Sequence, residues 1–234
     1  MCRRTTTRTA ATPRHVVQRR NGDSPSFFAD EDYLVYLDCL QEAAVRHRCA
    51  IHSYVLMPDH VQLLVSLDME QRLARMMRCV NGRYVEYVKY VYQQRNGDFW
   101  KHGLESTAVD SERRLLDCYR SIESAPVQAC LVSRPADYRW SSYNHHAHGC
   151  EDSVIQDHPS YLKLGATQDQ RRLAYHELFP QPSAGREEPE SRMSVNRSLA
   201  AGGEGVKDQI ERLVRRVRPR DTKRPARTEY ATAA

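Results

Sequence analysis

The stretch YVLMPDHVQLLVSL, residues 54–67, sets His60 and Gln62 two positions apart, directly after Asp59. Side chains of a strand alternate between its faces, so His60 and Gln62 project together while Val61 and Leu63 project from the other side. An imidazole nitrogen and an amide oxygen on one face are a donor pair that suits a divalent cation. Other chemically capable residues carry weaker signals. His102, in WKHGLES, is a lone histidine beside Gly103 and reads as a solvated loop residue before a metal or phosphate contact. NHHAHG, residues 144–149, has the look of a metal cluster, but no Cys or Asp stands at a fixed spacing from it, so it reads as a surface tract. Tyr84, Tyr87 and Tyr90 recur at helical spacing, which marks a core stripe rather than a set of nucleophiles.

Composition limits what these residues can serve. The chain has 234 residues, enough for one ordinary domain with a smaller appendage. No run approaches about 18 apolar residues, and MCRRTTTRTAATPRH lacks the apolar core of a secretory signal, so a cytoplasmic protein without a membrane span is expected. The seven cysteines are scattered, with no C-x-x-C pair, and read as reduced thiols serving as small core residues. Charge is unevenly placed within the net +5. Residues 1–20 hold six arginines and no acid, and residues 207–227 hold nine Lys or Arg against Asp208, Glu211 and Asp221. The stretch between is acidic. Basic ends on an acidic middle suit a polyanion gripped by the ends, with Arg14, Arg19, Arg20, Arg215, Arg216, Arg218 and Arg220 as its contacts; solvated tails are the bland alternative.

The elements that must position His60 and Gln62 follow from periodicity. HVVQR (15–19) reads as a strand, and residues 30–48 as a helix with Asp30 as N-cap. AIHSYVLM and HVQLLVSL are strands joined at Pro58-Asp59. Residues 71–95 form a long helix, STAVD (106–110) a strand, and residues 112–125 a helix capped by Asp110 or Ser111 and stopped by Pro126. The order β-α-β-β-α-β-α implies an α+β fold: a ferredoxin-like, split βαβ antiparallel sheet with helices on one face, plus a C-terminal helical extension. The expected organisation is a basic arm (1–14), the sheet domain (15–145), a helical extension (146–180), a polar linker (181–205) and a basic helix and tail (206–234).

HVVQRRN, FFADEDYLVYLDCLQEAA, AIHSYVLMPDHVQLLV, VDSERRLL, SRPADYRWSSY, HPSYLKLG and GVKDQIERLVRRVRPR together resemble the single-tyrosine HUH transposases of the insertion-sequence-200-like family, in particular the REP-associated tyrosine transposases. The resemblance implies single-stranded or hairpin DNA as partner, and a tyrosine hydroxyl that attacks a phosphodiester to leave a 5′-phosphotyrosine and a free 3′-OH. It implies Mg2+ or Mn2+ as cofactor if the chain is active, held by two strand histidines and a polar residue one helical turn after the tyrosine. His60 falls on the first histidine and Gln62 on the second. The family's Y-I-E-L-N-P-type segment is here SIESAP, so Ser121 stands at the nucleophile position and Ala125 at the third-ligand position. A serine is shorter than a tyrosine, and Ala125 offers no side-chain oxygen. The family's basic-aromatic run after the tryptophan is replaced by Gly103, Leu104 and Glu105.

The reading that results is a transposase-like DNA-binding protein with impaired catalysis. One alternative is an active strand transferase with a relocated tyrosine, Tyr119 being nearest in sequence. Another is an RNA-binding sheet of RRM type, which shares the βαββαβ order; here the strands lack the aromatic G-F-x-F surface that stacks bases.

Overall fold

The computed structural model describes residues 12–22, 24–93, 98–101 and 103–179. The arm before residue 12, His102, the linker, and the C-terminal segment with Arg215, Arg216, Arg218 and Arg220 lie outside the described residues.

Four strands, β1 (Arg14–Arg19), β2 (Ala50–Leu56), β3 (His60–Ser66) and β4 (Glu105–Ala108), form one antiparallel sheet in the order β2-β3-β1-β4. That is the ferredoxin-like arrangement implied by the element order. Register sorts the faces: Arg19 pairs with His60, Val17 with Gln62 and His15 with Leu64, so these six residues share a face. Val16, Val61, Leu63 and Val65 fill the other face and are fully buried. Helices α1 (Asp30–His47) and α2 (Glu70–Tyr92) cover that second face. Tyr36 of α1 meets Tyr84 of α2 edge to face, Glu42 pairs with Arg83, and Asn81 donates to Gln18 on β1 at 3.3 Å.

The extra helix α3 (Glu112–Gln128) lies over the first face, where Ser53 on β2, the partner of Leu64, donates to Glu123 at 3.1 Å. Ser111 is its N-cap, accepting from the Arg114 amide. The helix does not stop at Pro126 but continues to Gln128. Pro126 is buried and sits in the last turn, where only one backbone hydrogen bond is forfeited and the Leu131 amide still finds the Pro126 carbonyl.

Two further expectations are corrected. Helix α1 starts after Ala29, not at an Asp30 cap; the buried Asp32 in its third position accepts from the amides of Phe28 (2.6 Å) and Ala29 (3.0 Å) and from the hydroxyls of Tyr87 and Tyr92. The histidine tract is no surface loop. It forms most of α4 (Tyr143–His148), with His146 wholly buried, because the preceding Trp140-Ser141-Ser142 anchors the chain on β2. Trp140 stacks on Tyr33 at 4.4 Å, its carbonyl accepts from the Leu56 amide, and Ser142 bonds Tyr54. A 3₁₀ turn (Pro135–Asp137), α4, α5 (Pro159–Leu162) and α6 (Gln168–Glu177) complete the helical extension. Among the described cysteines, Cys39, Cys49 and Cys118 are buried, Cys79 is half-buried, and Cys130 and Cys150 are exposed thiols. No described helix is long and apolar enough to cross a membrane.

Candidate functional site

His60 and Gln62 are brought together as their alternation requires, and a third residue joins them. Gln62 donates from Nε2 to His60 Nε2 at 3.0 Å, and its Oε1 accepts from His15 Nε2 at 3.0 Å. Behind them, His60 Nδ1 faces Asp59 Oδ1 at 2.7 Å. The directions are mutually consistent: Asp59 accepts from Nδ1–H, which leaves the His60 Nε2 lone pair for the Gln62 amide, and the Gln62 carbonyl takes the His15 proton. Burial pushes the His15 imidazole below its usual value, and the Gln62 hydrogen bond only partly opposes this, so His15 acts as a neutral donor. The position of His15 rests on the antiparallel pairing of β1 with β3 across 47 residues of sequence. The cue available in the sequence was parity alone: His15, Val17 and Arg19 alternate as His60 and Gln62 do.

The two helix positions are not joined to this wire. Ser121 is exposed and Ala125 half-buried. They are four residues apart and so share a stripe of α3, whereas Glu123 lies about 200° around the helix from either. Among the described residues neither makes a hydrogen bond to His60, Gln62 or His15. The tyrosines weighed in the sequence are placed elsewhere. Tyr119 is fully buried against His146, Tyr161 and Tyr175, and burial, then the charge of Glu123, drives its phenol well above the usual value. Tyr84 donates to the Ser26 carbonyl inside the core, Tyr87 donates to Asp32, and Tyr90 is exposed on α2, across the sheet from His60.

Of the arginines expected as DNA contacts, the three among the described residues are engaged within the fold. Arg14 pairs with Glu70 and donates to Ser106, Arg19 reaches Glu105 at 3.6 Å, and Arg20 lies over the Phe99 ring while donating to its carbonyl. Arg19 is the one that shares the face of His60.

A second polar cluster occupies the contact between α3 and the extension. Glu123, fully buried, accepts from Ser53, Ser142 (2.6 Å), His146 Nδ1 (2.9 Å) and the Tyr175 hydroxyl (2.6 Å). Nearby, His52 bonds the Gln156 carbonyl through Nδ1, and burial pushes its pKa down to about 4. A histidine that is neutral when folded and normal when unfolded binds its proton preferentially in the unfolded chain. Stability is therefore full above about pH 6.5 and falls as pH drops towards 4, by on the order of 3 kcal/mol. Denaturant midpoints of the wild type and His52→Gln, compared between pH 7 and pH 4, should diverge most at neutral pH; parallel curves would refute the assignment.

Residues 14–120 match the family model described as "Transposase IS200 like". Over that stretch, just under half of the chain, it is similar to the IS200-like transposases. The matched segment spans the whole sheet with α1, α2 and half of α3, and it ends one residue before Ser121. Among solved structures, the chain is similar to a REP-associated tyrosine transposase bound to a REP hairpin, with 11% identity, covering 81% of this chain and 100% of that one at a TM-score of 0.49. It is also similar to a protein from Deinococcus radiodurans R1 described as a transposase, with 16% identity, covering 49% of this chain and 91% of that one at a TM-score of 0.39. No curated protein matches the sequence. Within the matched segment His60 and Gln62 lie on β3, one of the two central strands, and the residues that the sequence reading passed over are His15, Glu123 and His52.

Proposed function

We propose that this IS200-like transposase domain recognises single-stranded or hairpin DNA and has lost the strand-cleaving chemistry of its lineage. The observation that carries this reading is the placement of Gln62: its amide occupies the His60 lone pair on one side and takes the His15 proton on the other. The cation implied by the resemblance, Mg2+ or Mn2+, does not fit this donor set. The His60 lone pair is taken by the Gln62 amide, the Gln62 oxygen is taken by His15 Nε2, and Ala125 adds no oxygen where the resemblance places the third ligand. With both strand donors so engaged and no oxygen at the third position, no step through a metal is assigned. Ser121 cannot replace a phenol, because an aliphatic hydroxyl ionises far above the value of about 10 typical of tyrosine and no base is hydrogen-bonded to it.

The alternative with a relocated tyrosine loses support from burial: Tyr119 and Tyr84 are enclosed in the core. The RRM-type alternative loses support because the face bearing His15, Val17, Arg19, His60 and Gln62 has no aromatic platform and is partly covered by α3.

Incubation of the protein with single-stranded hairpin DNA and Mn2+, followed by denaturing electrophoresis, is expected to give retarded complexes under native conditions and no covalent protein–DNA band. A covalent band lost in Tyr119→Phe would overturn the impaired reading.

Binding can outlive cleavage because it draws on other residues. Phosphate contacts supply most non-specific affinity, and the largest supply of cations follows Val206. If that segment neutralises about three to five phosphates, truncation before Val206 lowers the slope of log affinity against log salt by roughly 2 to 4, at about 0.7 per phosphate on single strands. Fluorescence anisotropy of both proteins across a salt series measures the slope, and an unchanged slope would assign DNA contact to the sheet and its helices instead.

A further inference from the structure

The histidine tract forms a site distinct from His60 and Gln62. One ligand atom from each of His145, His146 and Asp157 lies within 4.8 Å of the others. His146 Nδ1 faces Glu123 Oε1 at 2.9 Å and so carries the proton, which leaves Nε2 as a bare lone pair. That Nε2 is buried and has no hydrogen-bond partner. His145 Nδ1 faces the Cys150 carbonyl at 3.0 Å, an acceptor only, so it also carries its proton. Its Nε2 then confronts Asp157 Oδ1 at 3.2 Å, lone pair against carboxylate.

Both conflicts need positive charge at one place. A second proton on His145 would settle its contact with Asp157 but would leave the His146 nitrogen without a partner. A cation that accepts several ligands settles both. We propose that His145, His146 and Asp157 bind a zinc-type divalent cation. Two imidazoles and a carboxylate are a borderline donor set suited to zinc rather than to calcium or magnesium, and three protein ligands leave one position for water. The second shell is already in place. Glu123 holds His146 by its far nitrogen and the Cys150 carbonyl holds His145 likewise, the arrangement that orients imidazole ligands in metal sites. Because Glu123 also accepts from Ser53 on β2, the ion links α4 and the loop before α5 to α3 and the sheet. The ion would tie the extension to the helix that carries Ser121.

The test uses untagged full-length protein stripped with chelator, equilibrated with Zn2+ or Co2+, desalted, and analysed for bound metal. The wild type is expected to retain one equivalent, to show the visible bands of four-coordinate Co2+, and to melt at a higher temperature with zinc than with chelator. Asp157→Asn and His145→Gln, both at partly exposed positions, should fold with unchanged circular dichroism yet lose the equivalent, the bands and the zinc-dependent melting shift. His60→Ala should keep all three. The proposal fails if the wild type retains no metal, as it would if a water held the His146 nitrogen, or if Asp157→Asn retains as much metal as the wild type. It fails equally if His60→Ala abolishes retention, since the metal would then sit on the sheet. Failure here leaves the reading of the DNA site unaffected, because that reading is tested by covalent trapping and not by metal content.

Discussion

Ser121→Tyr alone is expected to leave DNA nicking near background, whereas Ser121→Tyr combined with Gln62→His and Ala125→Asn should raise it by about 10²-fold or more over the single variant, some 2.7 kcal/mol of barrier. Nucleophile and metal act as a unit, so restoring one without the other recovers little. The hydrogen-bond wire gives a specific reason. With Gln62 in place, the His60 lone pair is already used by the Gln62 amide, so a phenol at 121 by itself gains no cation to polarise the phosphate. Gln62→His replaces the clasping amide with an imidazole, and Ala125→Asn supplies an oxygen on the same helical stripe as residue 121, four residues on. Ser121 is exposed, so its replacement should leave stability within about 0.5 kcal/mol of the parent. Nicking of a labelled hairpin in Mn2+, followed over time for each variant, measures the difference. Robust cleavage by the single variant would show that the metal defect is misassigned.

The elements were readable where local periodicity decides them. The alternation in HVVQR and HVQLLV, the helical spacing of Tyr33, Leu34, Leu37, Leu40 and Ala44, and the turn at Pro58-Asp59 all led to the observed order and to a shared face for His60 and Gln62. What escaped depends on contacts between distant segments. His15 completes the wire only through strand register, and Glu123 acquires its role from Ser53, Ser142, His146 and Tyr175, residues drawn from four separate elements or turns. The histidine tract looked solvated because nothing within its six residues reveals that Trp140 and Ser142 pin it against β2. Pro126 was read as a helix stop from its missing amide, but burial of its ring in the final turn outweighs a single lost bond. The carboxylate of Asp32 took the capping role assigned to Asp30 because two tyrosines of α2 hold it at the third helical position.

The largest loss of stability is expected at Glu123. The side chain is 0% exposed, and its two oxygens accept from two serine hydroxyls, the Tyr175 hydroxyl and His146 Nδ1. Tyr175 stays a donor, since burial first and the Glu123 charge second drive its phenol well above the usual value. Truncation to alanine removes one acceptor group but strands several buried donors, each costing about 1–3 kcal/mol when left unsatisfied. Breaking such a buried network typically costs about 3–5 kcal/mol, a large part of the 5–15 kcal/mol that holds an ordinary domain together. Glu123→Gln keeps the shape and one oxygen but turns an amide NH2 toward groups that donate to the carboxylate in the parent and must reorient to accept, so it should fall between alanine and the parent. The exposed pair Arg134–Asp137 serves as control: Asp137→Ala should shift stability by no more than about 1 kcal/mol, because solvent screens ions at the surface. Urea unfolding followed by tryptophan fluorescence reports on the right region, since Trp140 leads into α4 beside the network. A Glu123→Ala protein within about 1 kcal/mol of the parent would mean that Ser142, His146 and Tyr175 find water in place of the carboxylate, and that α3 is held to the extension by the packing of Tyr119, Tyr161 and Tyr175 instead.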